Sequence, residues 1–284
     1  MTNPYCFING KIVKENRAKI SVNDIGLHRG YGVFEVLRTY NGKPFLLNEH
    51  LKRLNRSGSN LNLKIPYNKN EISKIVNTLI EKNKFPESLV KIIVTGGESS
   101  DGVTIAKKPT IIILNKLLPP VDPKIYQRGV KLLTFEYQRF IPLVKNLNYI
   151  ELLRNQKRLK KEKAFNLLYI SDAKVLEGAT CNIFIFKNNK LITPDNLILK
   201  GTTRNLVLKL ARKHFRIEKR DVMLKELLNS DEVFITSTSK GIVPVVQIDN
   251  KIIKYGKPGS NTKKIIILFN QFIFKLNQPL KKSL

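Results

Sequence analysis

Near the start of the chain, apolar residues fall in short runs separated by dipeptides that favour tight turns. Asn9-Gly10 separates Tyr5–Ile8 from Lys11–Val13, and Asn41-Gly42 separates Val33–Tyr40 from Pro44–Leu47. Asn-Gly tolerates the positive φ angles of a two-residue hairpin loop, so both pairs predict β-hairpins. The period then changes. Leu51, Leu54 and Leu61 lie on one side of a helix expected over Glu49–Leu61, with Asn48 as its cap. Ile72, Ile75, Val76, Leu79 and Ile80 form the stripe of a second helix near Glu71–Lys82. Two further strand-like runs, Leu89–Thr95 and Thr110–Leu114, complete this half.

Pro119, Pro120 and Pro123 punctuate the pattern, since proline favours extended, unpaired backbone. Beyond them, strands are expected near Val130–Phe135, Leu167–Ser171, Cys181–Phe186 and Glu232–Thr236. Helices are expected at Asn148–Lys163, Thr203–His214 and Asn261–Leu276, and a further hairpin turn at Asp249-Asn250. Strands and helices mix without strict alternation, which favours an α+β fold over a doubly wound sheet. The reading is a smaller N-terminal domain over 1–118, a linker at 119–129, and a larger domain over 130–284.

Composition adds little to this picture except charge. With 42% hydrophobic residues the chain can build a substantial core. No run approaches the ~20 apolar residues that cross a bilayer, so no membrane partner is expected. The opening residues lack a charged-then-apolar signal pattern. Cys6 and Cys181 have no metal-type spacing and suit a reduced, cytoplasmic setting. The net charge of +29 raises the question of nucleic acid. The lysines are scattered from Lys11 to Lys282, however, and the densest run, Lys157–Lys163, reads as the solvated side of a helix. No specific nucleic-acid partner is expected.

Several chemistries drop out. The three histidines, His28, His50 and His214, lie in no zinc-binding pattern, and no Gly-x-Ser-x-Gly elbow is present. Gly30-x-Gly32 has Glu35 where a dinucleotide loop needs its third glycine. Anion binding remains. Gly201-Thr202-Thr203-Arg204 leads into the apolar-striped segment Leu206, Val207, Leu210, and a helix start gathers N–H groups and partial positive charge. Thr236-Ser237-Thr238-Ser239, past a strand, offers a second cradle. Each alone also fits an ordinary cap or loop; two together point to a bound phosphate.

These residues belong to a longer series of matches. It runs Gly30-Tyr31-Gly32-Val33-Phe34-Glu35, then Leu47-Asn48-Glu49-His50-Leu51-Lys52-Arg53-Leu54, then Val144-Lys145-Asn146-Leu147-Asn148-Tyr149. It continues through Leu176-Glu177-Gly178-Ala179-Thr180-Cys181-Asn182-Ile183-Phe184, Asn196-Leu197-Ile198-Leu199-Lys200-Gly201-Thr202-Thr203-Arg204 and Phe234-Ile235-Thr236-Ser237-Thr238. In this order the chain resembles the class IV aminotransferases, the fold-type IV pyridoxal 5'-phosphate enzymes, over nearly its whole length.

The resemblance implies a two-domain fold of the D-amino-acid aminotransferase kind and a set of roles. Lys145 resembles the lysine that forms the Schiff base with pyridoxal phosphate and shuttles the substrate α-proton. Glu177 resembles the carboxylate that pairs with the pyridine nitrogen and keeps the ring an electron sink. Arg53 resembles the phosphate-binding arginine, so Arg53→Ala is expected to weaken cofactor retention more than folding. Thr202, Thr203, Ser237 and Thr238 match the phosphate loops, Tyr149 matches a tyrosine near the cofactor's phenolic oxygen, and Arg204 reads as structural. The family is at least dimeric, which would carry Arg29 and Tyr31 into the pocket of a second copy in a homodimer. The substrates implied are an amino acid and a 2-oxo acid.

The substrate end departs from the best-known members. The arginine and histidine that hold the carboxylate in common D-amino-acid transaminases are absent from Thr95–Val103. The aromatic pair of branched-chain enzymes is replaced by Arg29-Gly30-Tyr31-Gly32. This resembles a subset of D-amino-acid transaminases whose carboxylate trap uses arginines elsewhere. Lys91 is a candidate second cation there and equally reads as a solvent-facing strand lysine. A D-amino acid such as D-alanine or D-glutamate is the expected donor. A branched-chain L-amino-acid aminotransferase and an aminodeoxychorismate lyase are the alternatives.

Overall fold

A computed structural model describes residues 3–277. The chain divides into two compact units, one formed by Met1–Pro119 with Val144–Asn148, the other by Pro120–Leu143 with Tyr149–Leu284.

The first unit holds β1 (Tyr5–Ile8), β2 (Lys11–Lys14), α1 (Ile25–Arg29), β3 (Gly32–Tyr40) and β4 (Lys43–Pro44). α2 (Leu47–Asn60), α3 (Lys69–Asn83), β5 (Ser88–Thr95) and β6 (Thr110–Leu117) follow. Its six strands pair in the order β2-β1-β6-β5-β3-β4. Both Asn-Gly hairpins form, with positive φ at Asn9, Gly10, Asn41 and Gly42. α2 packs on β3 and α3 on β1 and β6, so alternate residues of β3, among them Val33, Glu35 and Leu37, are buried.

Two expectations fail at α2. The run expected as strand up to Leu47 pairs only at Lys43 and Pro44, and the helix begins at Leu47. Leu46, with φ of 55°, turns the chain into the helix, so Asn48 lies inside the first turn and caps nothing. The next helix has the cap that sequence reading overlooked. The Asn68 side chain accepts from the Glu71 N–H, and Glu71 accepts in return from the Asn68 N–H.

The second unit begins with α4 (Lys124–Arg128), inside the stretch read as linker, where Asp122 Oδ1 accepts from the Lys124 N–H at 2.9 Å. Next come β7 (Val130–Glu136), α5 (Ile150–Arg154), α6 (Gln156–Lys161), β8 (Asn166–Ser171), β9 (Lys174–Gly178), β10 (Asn182–Lys187) and β11 (Lys190–Thr193). α7 (Thr202–Ala211), β12 (Arg216–Lys219), β13 (Val222–Met223), α8 (Leu224–Leu228) and β14 (Glu232–Ser237) follow. β15 (Gly241–Ile248), β16 (Lys251–Ile252) and α9 (Ser260–Asn277) close the unit. The helix expected over Asn148–Lys163 is broken at Asn155 into two short ones.

The strands of this unit form one mixed sheet, β12-β11-β10-β14-β15-β7-β8-β9-β13, with β16 on β15. Parallel pairs, β7 with β8 and with β15, sit among antiparallel ones. One side of the sheet buries Leu132, Leu168, Ile183, Ile185, Val233 and Val245 in a continuous core. On the other, Phe184 and Phe234 stack with ring centroids 4.9 Å apart.

Candidate functional site

In the first unit the candidate lysine is delivered by backbone pairing. β4 pairs with β3 only through Thr39 and Tyr40, which leaves the other end of that edge open. Val144–Asn148 takes it: Val33 bridges Asn146, and the Phe34 N–H donates to the Lys145 carbonyl at 3.0 Å. The Lys145 N–H donates to the buried Ser57 Oγ of α2 at 3.2 Å. Gly32 is what lets this segment approach, because a Cβ there would stand 2.8 Å from Leu147 Cδ1 and 2.7 Å from the Val94 carbonyl. The half-buried Lys145 side chain ends 4.4 Å from the centroid of the Phe34 ring, and Lys91 Nζ lies 5.4 Å from the same centroid. The structure thus gathers Lys145 and Lys91 around Phe34, a residue given no role by sequence reading. Its signal was available: Phe34 and Val36 alternate outward from β3, and Val36 pairs with Lys91.

Beneath the same strand lies a buried charge cluster. His50 and Arg53 are three residues apart on α2 and therefore share a helix face. Both meet Glu35. Arg53 donates from Nε to Oε1 and from Nη2 to Oε2, each at 2.7 Å, and His50 Nδ1 lies 2.8 Å from Oε2. Burial would raise the Glu35 pKa, but the Arg53 guanidinium and then His50 hold it down at about 2. Burial pushes His50 below its ordinary value despite Glu35, so the neutral imidazole donates its Nδ1 proton to the carboxylate. Arg53 is therefore a buried partner of Glu35 as well as a phosphate candidate, and neither Glu35 nor His50 was singled out from sequence.

The other first-unit candidates lie at the end of α1, Arg29 as its last residue and Tyr31 just beyond its C-cap Gly30. Asp24 caps α1 by accepting from the Gly26 N–H at 2.7 Å and from Thr95 Oγ1 at 2.8 Å. Arg29 is exposed, with Nε donating to the Gly102 carbonyl at 3.2 Å. Tyr31 is half-buried and its hydroxyl donates to the Leu61 carbonyl at the end of α2.

In the second unit Glu177 lies on β9, 5% exposed, and not in the isolated turn that its following glycine suggests. Three groups donate to it. The Leu199 N–H is 3.1 Å from both oxygens, Asn182 Nδ2 is 3.2 Å from Oε2, and Arg139 Nη2 donates to Oε1. Arg139 is anchored in turn by the Pro142 carbonyl at 2.9 Å. Tyr149 is half-buried at the N-cap of α5, and Tyr169 packs with Phe135 and Tyr137. Burial and then Tyr137 raise the Tyr169 pKa, with Arg139 opposing and Tyr149 and Glu177 adding smaller effects.

Thr202 and Thr203 form the buried first turn of α7, whose N-cap Gly201 supplies no side-chain cap. A Cβ on Gly201 would lie 2.1 Å from Asn182 Oδ1, so only glycine permits this closeness. Asn182 pairs across the sheet with Thr236, whose buried Oγ1 has no hydrogen-bond partner. Ser237 and Thr238, half-buried, follow directly. A glycine-capped helix start beside an unsatisfied hydroxyl fits an anion such as a phosphate group. Arg204 is turned away to the Pro194 carbonyl and Asp195 Oδ1, both at 2.8 Å, in keeping with its structural reading. Among the described residues no group of histidine, cysteine and acidic side chains could hold a metal ion, and no helix is long and apolar enough to cross a membrane.

Known proteins are similar to this chain over most of its length. The sequence profile of the amino-transferase class IV family matches residues 32–248. A protein of Methanocaldococcus jannaschii, provisionally named a branched-chain-amino-acid aminotransferase, is 36% identical over 91% of this chain and 93% of its own. The D-alanine aminotransferase of Bacillus licheniformis is 31% identical over 90% and 93% respectively. The branched-chain amino acid aminotransferase of Escherichia coli superposes with a TM-score of 0.89 at 24% identity, covering 99% of this chain and 98% of that one. A profile spanning most of the chain, full-length relatives above 30% identity and a fold shared from end to end agree with the α+β reading: the chain belongs to the class IV aminotransferases, enzymes that work with pyridoxal phosphate.

Proposed function

We infer that the chain moves an amino group from a D-amino acid, such as D-alanine or D-glutamate, to a 2-oxo acid. The observation that carries the choice is Arg29 at the end of α1, whose guanidinium is tied to the Gly102 carbonyl, with Lys91 as a second cation on β5. A cation fixed on one side of a pocket selects the side that receives the substrate carboxylate, and so the hand of the substrate. The 31% identity to a D-alanine aminotransferase supports the same reading.

When bound, pyridoxal phosphate withdraws electrons from the substrate's α-carbon. Lys145 is assigned to hold the cofactor covalently and to move the α-proton on its Nζ. Glu177 is assigned to the pyridine nitrogen, with Arg139, Asn182 and the Leu199 N–H fixing the carboxylate. Arg53, Thr202, Thr203, Ser237 and Thr238 are assigned to the phosphate, and Tyr149 to the phenolic oxygen. The enzyme acts as a homodimer in which Arg29 and Tyr31 serve a second copy. The exposed Val22, Leu27 and Val103 on this part of the surface support burial there. Its two buried free thiols suit a cytoplasmic setting.

The alternative is a branched-chain L-amino-acid aminotransferase, favoured by the 36% identical relative and by the apolar Phe34 beside Lys145. Stopped-flow half-reactions with D-alanine, D-glutamate, L-leucine and aminodeoxychorismate separate the readings. D-alanine should react faster than L-leucine, and Arg29→Leu should raise KM for D-substrates sharply. A faster half-reaction with L-leucine overturns the D-specific reading, and pyruvate release from aminodeoxychorismate would mark a lyase. Borohydride reduction followed by peptide mapping should fix the cofactor on Lys145; its recovery on any other lysine removes that assignment.

A further inference from the structure

A cleft of about 730 Å³ opens on the first unit, and none of the candidate residues Arg29, Tyr31, Arg53, Lys91 or Lys145 lines it. Four lysines do: Lys19, Lys64, Lys107 and Lys108, all exposed, with Glu98 as the one carboxylate. Elsewhere, lysines such as Lys116, Lys131, Lys174 and Lys190 are paired with carboxylates. Among the described residues the four in the cleft enter no ion pair, hydrogen bond or ring contact, and the Glu98 side chain offers them none. A concave surface with an excess of three positive charges focuses the field and concentrates anions.

The walls are already fixed. Asn9, in the β1–β2 turn, exchanges hydrogen bonds with the start of β6, its N–H to the Ile111 carbonyl at 3.1 Å and its Oδ1 from the Ile111 N–H at 2.9 Å. Tyr67 is held edge-on against Phe7, with centroids 5.6 Å apart, and presents an aromatic wall beside Pro66 and Pro109. Binding here would require little ordering beyond the lysine side chains themselves. The volume lies within the roughly 300–1,000 Å³ of small-molecule sites, larger than one phosphate group requires. Several separated cations are relieved best by several linked negative charges.

We propose that this cleft is a second anion site, one that takes a di- or triphosphate chain. The cofactor's own phosphate does not belong here. The test uses the pyridoxal-phosphate-loaded protein, so that cofactor positions are filled, and titrates sodium tripolyphosphate by calorimetry at physiological salt. Saturable binding of one tripolyphosphate per chain is expected, weakened at least tenfold by the double substitution Lys64→Glu/Lys107→Glu. The same charge change on α6, Lys160→Glu/Lys161→Glu, should leave affinity within twofold. All four side chains are surface lysines, so unchanged melting temperatures should accompany the affinity measurements.

ATP titrated in parallel identifies the source of the chain. Binding at least as tight as tripolyphosphate, and weakened by Tyr67→Ala, marks a nucleotide; weaker binding marks an inorganic polyphosphate. No saturable binding of tripolyphosphate, or an equal loss from both double substitutions, overturns the proposal and leaves only the diffuse field of a strongly basic protein.

Discussion

Glu35 in the first unit and Glu177 in the second are both buried glutamates facing an arginine, yet their remaining partners differ in kind. Glu35 is met by two side chains of a single helix, Arg53 and His50 of α2. Glu177 is met by separate chain segments: the backbone at Leu199, Asn182 on β10 and Arg139 in the loop after β7. The first arrangement fastens one helix to one strand through a charge that the helix neutralises. The second holds a carboxylate in a fixed orientation that no single neighbour controls. On the role proposed for Glu177, donors from one helix go with packing and donors from several segments go with chemistry.

The largest effect is expected from Glu35→Leu, which leaves the Arg53 guanidinium buried without its partner. Loss of about 3–5 kcal/mol is the scale for breaking such a pair, read by urea denaturation. The double substitution Glu35→Leu/Arg53→Met should recover much of it. A loss below about 1 kcal/mol in the single variant would show that the cluster does not fasten α2 to β3. Because Glu35 would be the group left unpaired, Arg53→Ala should also cost stability, which bears on the expectation that it weakens cofactor retention more than folding.

Glu177→Gln should act on chemistry instead. The half-reaction rate should fall on the order of 10²–10³-fold, the scale of a lost preorganised charge, with cofactor still bound. Unchanged turnover in Glu177→Gln would move the assigned role to another residue. Gly201→Ala comes next: its methyl meets Asn182, and overpacking of this kind costs about 1–3 kcal/mol. Cofactor retention should fall with it, while Gly42→Ala, with open space around its missing Cβ but a φ of +72°, should affect stability alone.

The smallest effect is a pH slope. Glu35 is held at about 2 against an ordinary 4.5, so its stabilisation is complete above 4.5 and is lost as pH falls toward 2. His50 is held below 6.5, so the unfolded chain takes up a proton near pH 6.5 that the folded chain refuses, and stability begins to fall there. Both slopes run the same way. Melting temperature should decline from about pH 6.5 downward, and the triple variant Glu35→Leu/His50→Leu/Arg53→Met should flatten this part of the curve. An equal slope in that variant would place the acid sensitivity elsewhere.

Much of the fold was legible because periodicity and turn chemistry are local. The Asn-Gly hairpins and the stripe of α3 needed no information from distant residues. The start of α2 was misread because the left-handed turn at Leu46 overrides the preference of Asn48 for a cap. β9 was missed, and with it the burial of Glu177, since its short sequence carries little pattern without β8 and β13 beside it. The candidate site was legible through order: Lys145, Glu177 and the glycine at the head of α7 match a family series. The supporting groups were not. Nothing in spacing links Arg139 to Glu177 or Glu35 to Arg53, because those contacts exist only once strands and helices have paired.

The detour of Val144–Asn148 has a consequence for the chain as it is made. The first unit has its six strands once β6 is complete, yet the segment that fills the open edge of β3 is synthesised only after α4 and β7. At about 5–20 residues per second, the gap is on the order of seconds. During that interval the Phe34 N–H lacks the Lys145 carbonyl, and β3 presents part of a bare edge to whatever strand comes first. A ribosome pausing before residue 148 would prolong the exposure, so the moment at which the lysine arrives is also the moment at which the nascent sheet stops being a template for mispairing.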